Sequence, residues 1–414
     1  MGFQTGLSGL SIASRNLDVI GNNVANSSVV GFKGASAQFS DVFAGSFAST
    51  TSGQIGIGAK LQGVAQSFSQ GTITPTANAL DFAIGGRGFF RLEDQGEVVY
   101  SRNGQFRLDN EGYIVNGEGL NLTGYGVDAD GNVVNAAPAP LQFDNSDIPP
   151  QATSLFEMGV NLDSNQGLPQ VATFNPANVR SYNYSTSGTV YDSLGNPQVL
   201  TVYFVNTSPN EWEMYGSVEN GPVTDVTFGT GAPGDPVQLT FDQDTGQLTT
   251  PTGALDTSLT IASGGTSPLV IDFDLTGSTQ YSSDNGVIRL NQDGYTAGRL
   301  TGFNVSPDGT IRGRYNNGQS RALGQVVLAD FVNPQGLNPL GNNLWQETVN
   351  SGLALVGVPT SGTLGTLQSG AVEDSNVELT AELVAMIVAQ RVYQANAQTI
   401  KTQDAVLQTL VNLR

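Results

Sequence analysis

From Val377 to Arg414 the chain contains no glycine and no proline, although its 414 residues include 52 glycines and 18 prolines. Within that stretch Leu379, Met386, Tyr393, Ile400 and Leu407 recur every seven residues, with Leu383, Gln390, Ala397, Asp404 and Val411 in the complementary register. This spacing predicts a long amphipathic helix. Ser375-Asn-Val-Glu378 reads as a capping box at its start. Glu378 and Glu382 lie near the positive end of the helix and Arg414 near the negative end, as the helix dipole favours. Gln390 and Asp404 interrupt the stripe, and polar residues in such a seam cost stability but can set register in an assembly.

The opposite end of the chain carries a matching pattern. Phe3, Leu10, Leu17 and Val24 fall seven apart, and Leu7 begins the second register, followed there by Ser14 and Gly21. Gly2, Gly6, Gly9 and Gly21 each cost a helix about 0.8–1 kcal/mol relative to alanine. A helix so burdened is largely unfolded alone and needs a partner surface. The two stripes predict a terminal helix pair, either a hairpin capping a globular domain or a seam between copies of the chain.

Between these ends the sequence reads as β. Val199–Val205, Leu269–Leu275 and Val287–Leu290 alternate as strands do. Asn103-Gly104, Asp130-Gly131, Asp293-Gly294, Asp308-Gly309 and Asn317-Gly318 read as tight turns whose glycine takes a positive φ. The expected class is mainly β with terminal α-helices, the β domains nested between coiled-coil-like ends. Turn density and proline place a separable inserted β domain at 151–283, flanked by 76–150 and 284–374 as two halves of one discontinuous β domain. Residues 25–75 read as a connector, and 1–24 with 375–414 as a terminal helical domain.

Composition removes several kinds of chemistry. The chain has no Cys and no His, so thiol nucleophiles, Cys zinc sites and Ser-His-Asp triads are excluded. A net charge of −20, with lysine only at 33, 60 and 401, opposes nucleic-acid binding. No stretch approaches the 18 or so apolar residues of a membrane span. The N-terminus lacks the basic start, apolar run and cleavage site of a secretory signal, so export, if any, would not use a cleaved leader. Asp242/Asp244 and Asp272/Asp274 are spaced to share one strand face, as a glycosidase pair might be, but aspartate at strand ends and turns is commonplace. Asp128-Ala-Asp130-Gly-Asn132 and Asp242-Gln-Asp244-Thr-Gly246 fail the calcium-loop spacing, having Ala139 and Gly253 where the twelfth-position glutamate belongs, and read as Asx turns. Gly85-Gly86-Arg87-Gly88 reads as a bulge or a close backbone approach. No catalytic, cofactor or metal site emerges. A neutral-polar, acidic chain with apolar stripes at both ends fits a self-associating structural protein.

Specific motifs sharpen this. Asn22-Asn23-Val-Ala-Asn26 followed by Gly31-Phe32-Lys33 resembles the N-terminal signature of the flagellar rod and hook axial proteins, and ELVAMIVAQRVYQANAQTIKTQDAVLQTL resembles their C-terminal helix. The segments at 71–90, 100–125, 302–331 and 367–380 are similar to the hook branch of that family, and the likeness covers about two thirds of the chain. The resemblance implies a structural, non-enzymatic subunit without cofactors, self-assembling into a curved tube that joins rod to filament and transmits torque. It implies terminal helices around an export channel, a middle β shell and an outer inserted domain. It implies a homo-oligomeric tube whose partners are the distal rod protein, the hook cap, the hook–filament junction protein and the flagellar type III export apparatus, outside the cell and without membrane insertion. Leu7, Leu10, Leu17, Val24, Leu379, Leu383, Met386, Tyr393, Ile400, Leu407 and Val411 are the expected assembly residues. Asn22, Asn23, Asn26, Gly31, Phe32 and Lys33 match the signature, and local turn chemistry would also account for them. A distal rod or other axial component, or a secreted β-rich adhesin or glycan-binding protein, remain the alternative readings.

Overall fold

A computed structural model describes residues 2–42, 56–128, 131–143 and 147–412. Asp130, Arg414 and the side chain of Val411 lie outside the described set, as does the connector from 43 to 55. The chain divides into two compact units: one comprises Met1–Asn145, Thr301–Arg314 and Ser320–Arg414, the other Ser146–Leu300 with Tyr315–Gln319.

In the first unit, helix α1 (Gly2–Ala25) and helix α2 (Leu379–Asn412) pack together. Gly6 of α1 lies beside Ile400 of α2, while Asn23 reaches Glu382, so the pair is antiparallel. Strands β1 (Ala35–Val42) and β2 (Gly58–Gln66) form an antiparallel hairpin with a bulge at Gln38/Phe39, and α1 packs on both. Two short ladders then zip the outgoing chain to the returning one: Ile73–Pro75 pairs with Ala371–Glu373, and Phe82–Gly85 pairs with Thr366–Ser369. Beyond them lies a large, branched sheet running from Leu300–Val305 through Asn121–Tyr125 and Phe89–Asp94 to Asn338–Gly341. Its core holds Phe82, Phe90, Leu92, Ile114, Leu122, Ile311 and Leu328, and a neighbouring aromatic cluster joins Phe89, Tyr100, Phe331 and Trp345 edge to face.

The second unit contains two sheets around one core. Five antiparallel strands run in the order Tyr184–Tyr191, Pro197–Ser208, Glu211–Val218, Val237–Phe241 and Leu248–Thr250. The other sheet is organised on Leu155–Asp163, which pairs parallel with Leu269–Asp274 and Thr279–Tyr281 and antiparallel with Gly286–Gln292. Inward side chains of both, including Phe156, Met158, Phe204, Trp212, Met214 and Phe273, form a buried cluster in which Phe156 and Phe273 stack at 5.3 Å. Turn chemistry places the inserted β domain at 151–283. The compact unit runs further, because Gly286–Gln292 completes a ladder along Phe156–Asn161 and bridges join Ile148 to Gly298 and Gln151 to Tyr295.

Three local expectations are corrected. Helix α2 begins at Leu379, with the Glu378 carbonyl accepting the first helical bond from Glu382 N at 3.0 Å. Ser375 instead accepts from Val377 N at 3.2 Å in a turn before the helix, so it is not the capping residue. Gly309 and Gly318 adopt positive φ as expected, but Gly104 and Gly294 do not. Those two glycines are required by contact: a Cβ on Gly104 would overlap the Phe82 carbonyl oxygen, and one on Gly294 would overlap Thr153.

Asp192 ties the second unit together. Its side chain is fully buried, and its carboxylate accepts from Leu194 N (2.9 Å), Asn196 N (2.8 Å), Asn196 Nδ2 (2.9 Å) and the Ser263 hydroxyl. Burial pushes the Asp192 pKa up, but the donors of Ser263, Asn196 and Leu194 together outweigh it and hold the group below the usual carboxylate range. A carboxylate depressed in the folded state contributes stability above its unfolded pKa of about 3.9, and that contribution is lost as pH falls through the folded value. Asp192→Asn sets an amide donor against the Asn196 and Ser263 donors. It is expected to cost about 1–3 kcal/mol at pH 7 and to lose that penalty in acid, as read by denaturation followed through Trp212 fluorescence. An equal difference between the two proteins at pH 7 and pH 3 would contradict this role.

Candidate functional site

The glycines of α1 are contact residues. A Cβ on Gly9 would come within 2.5 Å of the Asn396 amide, and one on Gly6 within 3.1 Å of Ile400. Among the residues whose side chains are described, Gly6, Ala13, Ile20 and Asn23 are the buried positions of α1 and Ala389 that of α2, flanked by half-buried Glu382, Ala385, Met386, Asn396 and Ile400. Small residues thus let the two backbones approach closely. The contacts with α2 fall at Gly6, Gly9 and Asn23, off the 3-10-17-24 row that the sequence periodicity picks out.

The heptad residues take the flanks. Leu10, Leu17, Val24, Met386 and Ile400 are half-buried. Leu7 is 54% exposed, Leu379 46%, Leu383 42%, Tyr393 37% and Leu407 53%. Val384, Ile387, Val388, Val392 and Val406 extend the exposed apolar surface of α2. Within the described chain these side chains remain between 37% and 62% exposed.

Below the helices lies a buried ionic junction. Lys33 Nζ is 2.6 Å from Glu373 Oε1 and Arg102 Nη1 is 3.0 Å from Glu373 Oε2, all three side chains being at most 3% exposed. Lys33 also donates to the Ser69 carbonyl (2.8 Å), Gly71 N donates to Glu373 Oε1 (2.8 Å), and Arg102 Nη2 donates to the Gly86 carbonyl (2.8 Å). The Arg102 guanidinium sits 5.4 Å over the Phe89 ring, a cation–π contact. Burial pushes both cations below their ordinary pKa values, and Glu373 works against that shift in each.

The signature residues converge here. Gly31, at φ +73°, donates its amide to the Glu373 carbonyl at 2.7 Å, and a Cβ at that position would clash with the Arg102–Asn103 backbone. Asn23 pairs with Ala35 as a strand would, donating to Ala35 O (2.8 Å) and accepting from Ala35 N (3.0 Å), and it also donates to Glu382 of α2 (3.1 Å). Asn26 folds back on Asn22 at the end of α1. Phe32 is half-buried and lines a cleft beside Lys33. Asn376 accepts from Gly34 N and donates to Ser67 O, tying the approach to α2 to the same place. Glu373, Arg102 and Asn376 were not singled out from sequence. Their only signal is that each lies inside a segment similar to the hook branch, since nothing local marks a carboxylate at 373 as the partner of a lysine 340 positions earlier.

The acidic pairs do not converge on a site. Asp242 accepts from Asp244 N, Thr245 N and the Thr245 hydroxyl in its own turn. Asp272 is exposed opposite Asp256, and Asp274 accepts from Thr276 N. Gly85–Gly88 is a close approach as read: a Cβ on Gly85 would lie 2.8 Å from the Thr366 hydroxyl, while Gly86 and Gly88 have positive φ.

Glu373→Gln leaves two buried cations facing no carboxylate and is expected to destabilise the first unit by about 3–5 kcal/mol. Lys33→Met leaves a neutral Glu373–Arg102 pair and should cost less. Denaturation followed through Trp345 fluorescence ranks the two, and the reverse ranking would show that the carboxylate is not the centre of the junction.

Four family models match in chain order. Residues 3–33 match the flagella basal body rod protein, 83–191 the flagellar hook protein FlgE/F/G D1 domain, 161–295 the flagellar basal body protein FlaE D2 domain, and 368–413 the flagellar basal body rod FlgEFG protein C-terminal region. The flagellar hook protein FlgE of Escherichia coli K12 is 43% identical over 419 residues, covering all of both chains. That of Brucella suis is 31% identical over 414 residues, covering 99% of this chain and 98% of its own. The crystal structure of Helicobacter pylori flagellar hook protein FlgE2 shares the fold at a TM-score of 0.52, with 16% identity over 72% of this chain and all of that one. With full-length relatives above 30% identity and every stretch of the signature in place, the chain belongs to the flagellar hook protein family.

Proposed function

We propose that this structural subunit of the flagellar hook polymerises through the exposed flanks of α1 and α2 into a curved tube, a universal joint that passes torque from rod to filament and encloses the export channel. The observation that carries this reading is the apolar flank of α2, where Val384, Ile387, Val388 and Val392 are 47–62% exposed on a helix whose inner face is already occupied by α1. Exposed apolar stripes of this length mark protein–protein contacts. The identical stripe on every copy, meeting a different surface of the next, gives an open helical assembly rather than a closed ring.

The hook-named relatives matched along their full length favour a hook subunit over a distal rod component. In this reading the subunit performs no catalysis. It leaves the cell through the flagellar type III export apparatus without a cleaved signal, assembles beneath the hook cap, and meets the distal rod protein at one end and the hook–filament junction protein at the other. The helix pair forms the inner layer of that tube. A weak, glycine-bearing α1 suits passage as an unfolded chain, since it folds only against partners.

Val388→Asp tests the flank without disturbing the fold, because the residue is 55% exposed. The variant is expected to match the unsubstituted chain in circular dichroism and thermal unfolding, yet to form no tubes by electron microscopy at high protein concentration and high salt. Leu10→Asp should also abolish tubes, but being half-buried it would also weaken the helix pair. Normal tubes from Val388→Asp would remove the α2 flank from the assembly.

A further inference from the structure

Asparagine followed by glycine is a reactive dipeptide. The glycine carries no side chain, so nothing shields its amide nitrogen from the carbonyl carbon of the asparagine side chain. Asn-Gly stands at 103–104, 116–117, 220–221, 285–286 and 317–318. At most of these places the fold holds the side-chain amide. Asn103 Oδ1 accepts from Gln105 N (3.0 Å), Asn116 Oδ1 from Glu118 N (3.0 Å) and Leu120 N (2.9 Å), and Asn285 Oδ1 from Asp163 N (2.7 Å). Asn317 is held at both ends, accepting from Gln319 N (3.1 Å) and donating to the Thr296 carbonyl (2.8 Å). Closing a ring onto the next nitrogen means turning the side-chain amide, and in each case that breaks these bonds.

Asn220 differs. It is exposed, and its side-chain amide makes no hydrogen bond among the described residues. It sits in a tight turn closed by Gly221 N donating to the Val218 carbonyl at 2.7 Å, with Glu219 at φ +50° and Asn220 at φ +59°. Left-handed backbone is costly for a residue such as glutamate, so the bond that occupies the Gly221 nitrogen is made by a strained turn. A carboxylate stands against the same glycine: Asp225 Oδ2 lies 3.0 Å from where a Cβ on Gly221 would be. The 3-10 turn Val223–Asp225 places it there, anchored by Asp225 N donating to the Pro222 carbonyl (3.2 Å) and Thr260 N donating to the Asp225 carbonyl (2.7 Å). The Asp225 carboxylate itself has no hydrogen-bond partner among the described residues.

We infer that Asn220 is a self-modification site, at which the chain converts its own asparagine to aspartate and isoaspartate with Asp225 as the base. When the turn opens, Gly221 N attacks Asn220 Cγ and its proton passes to Asp225. The new N–Cγ bond closes a succinimide, the Cγ–Nδ2 bond breaks, and ammonia leaves with the proton that Asp225 held. Water then adds to one of the two succinimide carbonyls and splits that carbon from the Gly221 nitrogen. Opening at Cγ gives aspartate; opening at the main-chain carbonyl gives isoaspartate, in which the backbone runs through the side chain. Either product sets a new carboxylate between Glu219 and Asp225. The site lies in the second unit and draws on neither the helix flanks nor the Glu373 junction, so it stands apart from the assembly reading.

The test ages the full-length chain at neutral pH and follows each Asn-Gly peptide by mass spectrometry, with enzymatic methylation of isoaspartate as a second readout. In the folded chain the Asn220 peptide is expected to convert several-fold faster than those of Asn103, Asn116, Asn285 and Asn317. In the same chain unfolded in urea that lead should disappear, because the clamps at the other sites are gone. A lead held by another Asn-Gly in the folded chain, or no lead at all, overturns the assignment. A lead at Asn220 that persists unchanged in urea overturns it as well, since the fold would then not be its cause. Asp225→Asn, which removes a carboxylate without hydrogen bonds, should keep the circular dichroism spectrum, slow conversion at Asn220 several-fold and leave Asn317 as it was. An unchanged rate at Asn220 in that variant overturns the role of Asp225.

Discussion

One carboxylate holds this subunit's ends together. Glu373 faces Lys33 from the segment after α1 and Arg102 from the β body, all out of water. Buried charges are costly, and an apolar trio of the same volume could be as stable. What the ionic version supplies here is register. Two cations, the Gly71 amide and the Gly31–Glu373 backbone bond fit Glu373 in one alignment of the outgoing and returning strands. A slip of one residue would turn the carboxylate to the other face of the short Ala371–Glu373 strand and strand both cations. Asn23 and Asn376 carry that alignment up to the helices, so the position of α1 against α2 follows from a bond made below them.

The helix pair resolves a conflict between folding and assembly. An α1 built for isolated stability would carry alanine where Gly6 and Gly9 stand, and a Cβ at either would press on Ile400 or Asn396. Glycine weakens the free helix but lets the small faces meet closely. Because the narrow, small-residue faces satisfy the intramolecular contact, the broad leucine and valine rows stay outward. The helices can therefore be complete within a subunit and still unsatisfied as a surface.

Much of this was legible in the sequence. The glycine-free run marked α2 within a few residues of its ends, alternation marked the strands, and the Asn22–Asn26 and Gly31–Lys33 motifs pointed to the junction. Periodicity alone could not say which face of each helix turns inward, because contact through small residues leaves no hydrophobic signal: Gly6, Ala13 and Ala389 look like nothing, whereas Leu7 and Leu383 look like core. Nor could local reading find Glu373 or Arg102, whose meaning lies in a lysine hundreds of residues away. Gly104 and Gly294 occupy turn-like dipeptides, yet their reason is the backbone that crosses above them. Ser375 carries the capping pattern, but Glu378 supplies the first helical carbonyl and the serine closes a turn before it.

The distribution of charge follows from the same division. The chain carries −20, yet α1 holds only Arg15 and Asp18, and described α2 holds Glu382, Arg391, Lys401 and Asp404, so both helices are net neutral. Acidic copies repel one another, and that repulsion is screened beyond roughly 8–10 Å at physiological salt. It is therefore most costly where subunits touch most closely. The net negative charge therefore lies outside the two helices, away from the surfaces of the proposed assembly. In the proposed assembly the helix flanks would then associate through apolar area, which carries no preferred sign or direction. A surface of that kind can hold neighbours together through small changes of registry, whereas a seam of ion pairs would fix one.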